Sequence, residues 1–246
     1  MLLLLLLLLL RVCAGKPTRV LMTNMDQPLG RTVGNWFEMK EAIEICRGQG
    51  GEGLSDVVDL SVAFAAEMLI LSKEQQGGGT VPSHEEACDI ARANLHNGAA
   101  YASMCAMLEA QGADLSIMDD LGAYPTAARS RAVVHDGPDG FVSSIDALEI
   151  GLTAVGLGAG RADVLDKIDY GAGITFEKKV GDAVATGDVL LTVHTDRAED
   201  VLDAGADRAA KAMMMSETRP EQADLISYYM DKNGVKSFKE YLEASA

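Results

Sequence analysis

The sequence reads as an α/β domain followed by a C-terminal α+β domain. Three observations predict this order. Residues 20–47 pass from an apolar run through polar turn formers to an amphipathic pattern, the succession of strand, loop and helix. Residues 54–110 carry apolar residues at helical spacing with little strand signal. Beyond Pro125 the composition shifts to short β-like runs broken by glycine and aspartate. With 246 residues the chain holds one large domain or two small ones, and its 48% apolar content supports a sizeable core.

Val20, Leu21 and Met22 form a short apolar run, as in a buried strand covered on both faces, entered through Pro17. Residues 23–30 break the pattern with turn formers. Asn35 followed by Glu38 reads as a helix N-cap and its N3 partner. Met39, Ala42, Ile43 and Cys46 follow at helical spacing, and Gly48 stops the helix. A long helix is predicted over 54–71. Its apolar residues, including Val57, Leu60, Phe64 and Met68, surround most of the axis and imply deep burial. Ser83-His84-Glu85-Glu86 is a capping box that opens a helix ending near Gly98. A further helix spans 99–110. His84 and His96 sit at predicted helix ends and read as cap or surface groups rather than ligands.

In the second half, strands are predicted at 131–135 and 141–144 around a turn at 135–140, then a helical period over 145–157. Gly156, Gly158 and Gly160 with Arg161 suggest a phosphate loop. Without a strand–loop–helix frame the preferred reading is a glycine turn between helix and strand. Residues 168–193 are the most β-like. Residues 198–211 are helical and acidic, a strand is predicted within 225–230, and the tail 231–246 reads as a surface helix.

A net charge of −16 disfavours a nucleic-acid partner, and any anion would need a local basic or helix N-terminal site. The four cysteines show no CxxC pair and no metal spacing. Cys46, Cys88 and Cys105 fall in helical apolar patterns, where a reduced core thiol is expected, so a cytoplasmic chain is the simpler reading. Leu2 to Leu10 is too short to span a bilayer, and no membrane partner is expected. The run imitates a secretory signal, with Val12-Cys13-Ala14 as a cleavage site, but no basic residue precedes it. A low-complexity tract or a misplaced start is preferred, and secretion is the alternative.

The stretch TNMDQPLGRTVGNWFEMKEAIEICRGQG, residues 23–50, resembles a segment of the thymidine and pyrimidine-nucleoside phosphorylase family that reads roughly T-D-M-x-Q-P-L-G-x-x-V-G-N-A-L-E-V-x-E-A-I. Residues 107–114 (MLEAQGAD) resemble that family's M-x-x-A-Q-G-G-D, and residues 141–146, 157–161 and 180–194 resemble three pieces of its C-terminal domain. Residues 180–193 also have the V-G-D-x-V-x-x-G-x-x-L look of biotinyl and lipoyl carrier domains. The carrier lysine is replaced by His194-Thr195-Asp196-Arg197, which argues against that function but agrees on a barrel-sandwich-like hairpin. The resemblance divides the chain into a leucine-rich segment (1–15), the later part of the α/β domain (16–125), the C-terminal domain (126–230) and a tail (231–246).

The resemblance implies a pentosyltransferase that uses phosphate as co-substrate to cleave a pyrimidine nucleoside to free base and (deoxy)ribose 1-phosphate. The family's glycine-rich signature, approximately S-G-R-G-L-x-x-T-G-G-T-x-D-x-L-E, has no counterpart here, and neither have its base-holding arginine, serine and lysine. No catalytic residue is therefore assigned, and the chain is expected to be inactive alone. Thr23, Asn24, Asp26 and Gln27 are expected to border the substrate cleft without reacting. By position the family's monovalent cation site, K+ in bacterial members, maps onto the carbonyls of Leu29 and Thr32 and the carboxylate of Glu41, oxygen ligands that suit a hard cation. A solvated helix carboxylate is the equal alternative for Glu41. Expected partners are the nucleoside and phosphate, and a possible homodimer. The rival reading is a non-catalytic assembly module that pairs with a separate N-terminal half.

Overall fold

The apolar run Val20–Thr23 is strand β1 in a computed structural model that describes residues 15–77, 79–124, 126–161 and 163–245. The leucine run, Cys13 and Pro125 lie outside the described residues. The chain divides into two compact units.

The first unit gathers residues up to Asn24, then 56–99 and 223 onward. β1 pairs antiparallel with β9 (Ile226–Asp231), Val20 opposite Met230 and Leu21 opposite Tyr229. β10 (Gly234–Ser237) lies on the other side of β9. Among the described residues β1 thus has an antiparallel neighbour rather than a parallel frame, and only Leu21 of its four residues is buried. Helix α2 (Ser55–Gln76) runs five residues past the predicted end, through the good helix formers Lys73, Glu74 and Gln75. It buries Leu60, Val62, Ala63, Ala66 and Ile70 but leaves Phe64 and Met68 exposed. Apolar residues all round the axis therefore do not mean burial all round it. Helix α3 (His84–His96) starts at the capping box: Ser83 Oγ accepts from Glu86 N at 3.3 Å, and Glu86 Oε2 accepts from Ser83 N at 2.8 Å. Ala66, Ile70 and Ala87 form a small core, with Leu69 and Cys88 packed against it.

A polar cluster lies within this unit. Glu67 Oε2 accepts from Arg19 Nη1 at 2.6 Å, and Glu67 Oε1 accepts from Tyr241 Oη at 2.6 Å and lies 2.8 Å from His84 Nδ1. Tyr241 stacks on Tyr229 with centroids 3.9 Å apart. His84 is therefore a buried partner of a carboxylate and not the surface cap expected, while His96 is exposed. The tail differs too: the β9–β10 hairpin precedes the helix, which is confined to α7 (Phe238–Ser245).

The second unit holds residues 25–55 and 100–222. Its helices are α1 (Asn35–Cys46), α4 (Ala99–Ala110, from its second residue), α5 (Ala147–Leu157) and α6 (Glu199–Lys211). One antiparallel sheet has the order β2-β5-β7-β3, with β2 Thr32–Val33, β5 Gly173–Phe176, β7 Val189–Thr195 and β3 Arg129–Val134. A second has the order β6-β4-β8, with β6 Ala183–Val184, β4 Gly140–Ile145 and β8 Met213–Ser216. The core between sheets and helices centres on Val142, Ile145, Ile150, Leu157, Ile174, Leu191, Val193 and Leu202. Among the described residues no helix is long and apolar enough to cross a membrane.

Three local signals read differently in the fold. α1 is capped by Gly34 (φ 138°) without a side-chain bond, and Asn35 is its first residue. A Cβ on Gly34 would lie 2.5 Å from Ala172 O, so the close approach to β5 demands glycine there and displaces the cap. The glycines 156, 158 and 160 mark a helix C-terminus: Gly156 is in the last turn of α5, and Gly158, at φ 115°, is its left-handed C-cap. Gly156 O accepts from Arg197 Nη1 at 2.8 Å and Gly158 O from Asp169 N at 2.9 Å, as in a turn held by its own neighbours. On α1, Glu41 is buried with Ile43 and Ile45, whereas Met39 and Ala42 are exposed.

Candidate functional site

Residues 25–33 leave an exposed turn at Met25 and Asp26, pass through the left-handed Gly30 (φ 66°) and enter β2. Phe176 N donates to Arg31 O at 2.8 Å, so one bond joins the two strands at Arg31 and Phe176. The next pair, Thr32 opposite Thr175, is then non-hydrogen-bonded, and the carbonyl and N–H of Thr32 point away from β5 off the sheet edge. Arg31 N donates to Glu41 Oε1 at 2.9 Å, which brings the loop onto the buried carboxylate of α1. The bond from Arg31 places this part of the loop beside Glu41, in the second turn of α1.

Two cations join the loop to the β5–β6 turn, Lys179 from the turn and Arg31 from the loop. Lys179, only 9% exposed, donates from Nζ to Gly30 O at 2.7 Å and to Pro28 O. Arg31 Nη1 donates to Glu177 O at 3.0 Å and Phe176 O at 3.4 Å, and its Nη2 lies 3.7 Å from Asp182 Oδ2. The same Asp182 oxygen accepts from Lys179 N at 2.9 Å and closes the turn. Two buried oxygens in this segment, Gln27 Oε1 and Thr32 Oγ1, have no hydrogen-bond partner. Such atoms are rare in folded proteins and point to a group that completes them.

The head of α1 is packed on rings. Trp36 stacks on Tyr124 with centroids 4.1 Å apart, and Phe37 meets His194 at 4.9 Å. Burial pushes the His194 imidazole below its ordinary range, so it stays neutral, with Nε2 3.3 Å from Thr175 Oγ1. Burial, with Cys105 nearby, pushes the Cys46 thiol up, which makes it a poor nucleophile. Among the described residues no group of three or more His, Cys, Asp or Glu could hold a metal ion, so an ion here would rest on carbonyls and one carboxylate.

Thr23 and Asn24 close β1 in the first unit, where Asn24 N donates to Leu225 O at 2.9 Å. Asp26 and Gln27 belong to the second unit, where Asp26 O accepts from Ala147 N at 3.4 Å. Sequence reading missed Lys179 and Arg31. Lys179 follows Lys178 in the region read only as β-like, and only the fold separates them: Lys178 Nζ reaches Ala183 O and Asp188 Oδ2, both at 2.8 Å.

Residues 141–216 match the family model described as the pyrimidine nucleoside phosphorylase C-terminal domain. Pyrimidine-nucleoside phosphorylase of Staphylococcus haemolyticus is 37% identical over 183 residues, 74% of this chain and 40% of that protein. The Bacillus subtilis protein of that name is 38% identical over 187 residues, and that of Geobacillus stearothermophilus 36% over 183, each with the same coverage. The chain spans about two fifths of the length of the curated relatives it matches. Over about three quarters of its own length, then, this chain is similar to pyrimidine-nucleoside phosphorylases, and residues 141–216 match their C-terminal domain.

Proposed function

We propose that this chain serves the phosphorolysis of a pyrimidine nucleoside, thymidine or uridine, to free base and (deoxy)ribose 1-phosphate. The observation that carries the reading is the 37% identity to a pyrimidine-nucleoside phosphorylase over 183 residues, together with the C-terminal domain match at 141–216. In this reading residues 16–125 are the later part of the family's α/β domain, and 126–230 its C-terminal domain with a barrel-sandwich hairpin. Thr23, Asn24, Asp26 and Gln27 stand near substrate as neighbours rather than as reacting groups.

The reaction needs an anion cradle for phosphate and donors for charge on the departing base. The two cations that hold the loop are committed elsewhere: Arg31 to the carbonyls of Phe176 and Glu177, Lys179 to those of Pro28 and Gly30. The sequence contains no stretch like the family's glycine-rich signature. The chain by itself is therefore expected to release no thymine from thymidine and phosphate. Purified chain assayed by chromatography for free base tests this, and turnover well above the blank overturns it.

A monovalent cation fits the loop on the chemistry of its donors. The Thr32 carbonyl points off the sheet edge, Thr32 Oγ1 is buried without a partner, and Glu41 is a buried carboxylate. Leu29 O, Thr32 O and Glu41 would hold K+, whose role is to fix the loop. Melting should be higher in potassium chloride than in N-methylglucamine chloride at equal ionic strength, and Glu41→Gln should erase the difference. Equal melting of the unaltered chain in both salts refutes the site.

A further inference from the structure

Lys179 is a buried cation that the proposed reaction does not use. Burying an ammonium is costly unless its protons are taken up by acceptors. Two of the acceptors are backbone carbonyls: Nζ donates to Gly30 O at 2.7 Å and to Pro28 O, and it lies 5.8 Å from the Phe176 ring centroid. Both carbonyls belong to a loop about 150 residues earlier in the chain. The lysine backbone is fixed in turn by Asp182, so the ammonium is presented from a rigid turn. A point charge shared between main-chain carbonyls is how proteins hold a free monovalent ion, and here the ion is covalently attached.

We propose that Lys179 is the resident cation of the loop: a tethered ammonium that occupies an ammonium-sized site formed by the Pro28 and Gly30 carbonyls. By holding those two oxygens it sets the backbone from 28 to 32, and so positions the Arg31 N–H on Glu41 and the Thr32 carbonyl off the sheet edge. Lys179 is thus a positioning residue acting through the loop. The Pro28 and Gly30 oxygens are distinct from the Leu29 and Thr32 oxygens proposed for potassium, and neither site depends on which nucleoside is cleaved.

Chemical rescue in the full chain tests the site. Lys179→Ala removes the side chain and leaves a hole that ends at the two carbonyls. Its melting temperature should fall, and amide exchange at Arg31 and Phe176, the donors to Glu41 and Arg31 O, should quicken at least about tenfold. Ethylammonium or propylammonium chloride should restore both, relative to sodium chloride at equal ionic strength, while leaving the unaltered chain unchanged. Lys179→Met keeps most of the hydrocarbon stem but no charge. It should show the same fast exchange, and alkylammonium should not rescue it because the hole is filled. The proposal is overturned if Lys179→Met protects both amides as the unaltered chain does, or if alkylammonium leaves exchange in Lys179→Ala unchanged. Should Lys179→Ala fail to fold in every salt, including alkylammonium, the free cation does not substitute and the proposal also falls. Potassium-dependent melting of the unaltered chain is read separately, so this site and the external cation site can fail independently.

Discussion

Glu67 shows how much a single side chain can be asked to satisfy. Its carboxylate is nearly inaccessible, yet it accepts from Arg19 and Tyr241 and meets His84, while Arg19 also reaches Glu74 at 2.6 Å. Burial opposes the charged form, but the donors from His84, Tyr241 and Arg19 outweigh it, and the carboxyl is held below its ordinary value of 4.5. Burial also pushes the neighbouring Tyr229 and Tyr241 phenols up, so both remain neutral donors. A carboxyl depressed in the folded state contributes stability that is fully present above its unfolded value and lost as pH falls through its folded value. Between about pH 6 and about pH 3 the unaltered chain should therefore lose melting temperature more steeply than Glu67→Gln, whose amide does not titrate. Parallel curves would remove Glu67 from the acid sensitivity of the first unit. None of this was visible in the sequence. Glu67 lies in a helical run of mixed character, and its partners come from residues 19, 84 and 241.

At the level of elements, signals confined to a few neighbouring residues were read correctly. The Ser83 capping box depends only on Ser83 and Glu86, and both of its bonds form. Replacing Ser83 with alanine should cost about 1 kcal/mol, measured by urea unfolding, and a change within error would show that α3 does not need its cap. The strands at 129–134, 140–145 and 226–231 and the helices at 147–157 and 199–211 follow from equally local alternation and periodicity. Misreadings arose where a distant residue sets the local conformation. Ala172 forces glycine at position 34 and moves the cap of α1 from Asn35 to Gly34. The one-sided burial of α2 is of the same kind, since periodicity reveals which residues are apolar but not what exists to cover them.

For the molecule as a whole, the resemblance was legible because it rests on long ungapped stretches, 23–50 above all, and the curated relatives are 32–38% identical over about three quarters of the chain. The candidate site was only half legible. Leu29, Thr32 and Glu41 lie within thirteen residues and could be placed by resemblance. The lysine that reaches the same loop is far along the chain, and its role depends on the β2–β5 pairing that brings the β5–β6 turn back to residues 28–31. The stack of Trp36 on Tyr124 carries a practical corollary. Trp36 is the chain's single tryptophan, so indole emission excited at the red edge originates at the head of α1, within a few residues of Thr32. Far-ultraviolet dichroism sums every helix of both units, whereas the fluorescence watches one address. A spectral shift with unchanged ellipticity would mark an event at that address alone.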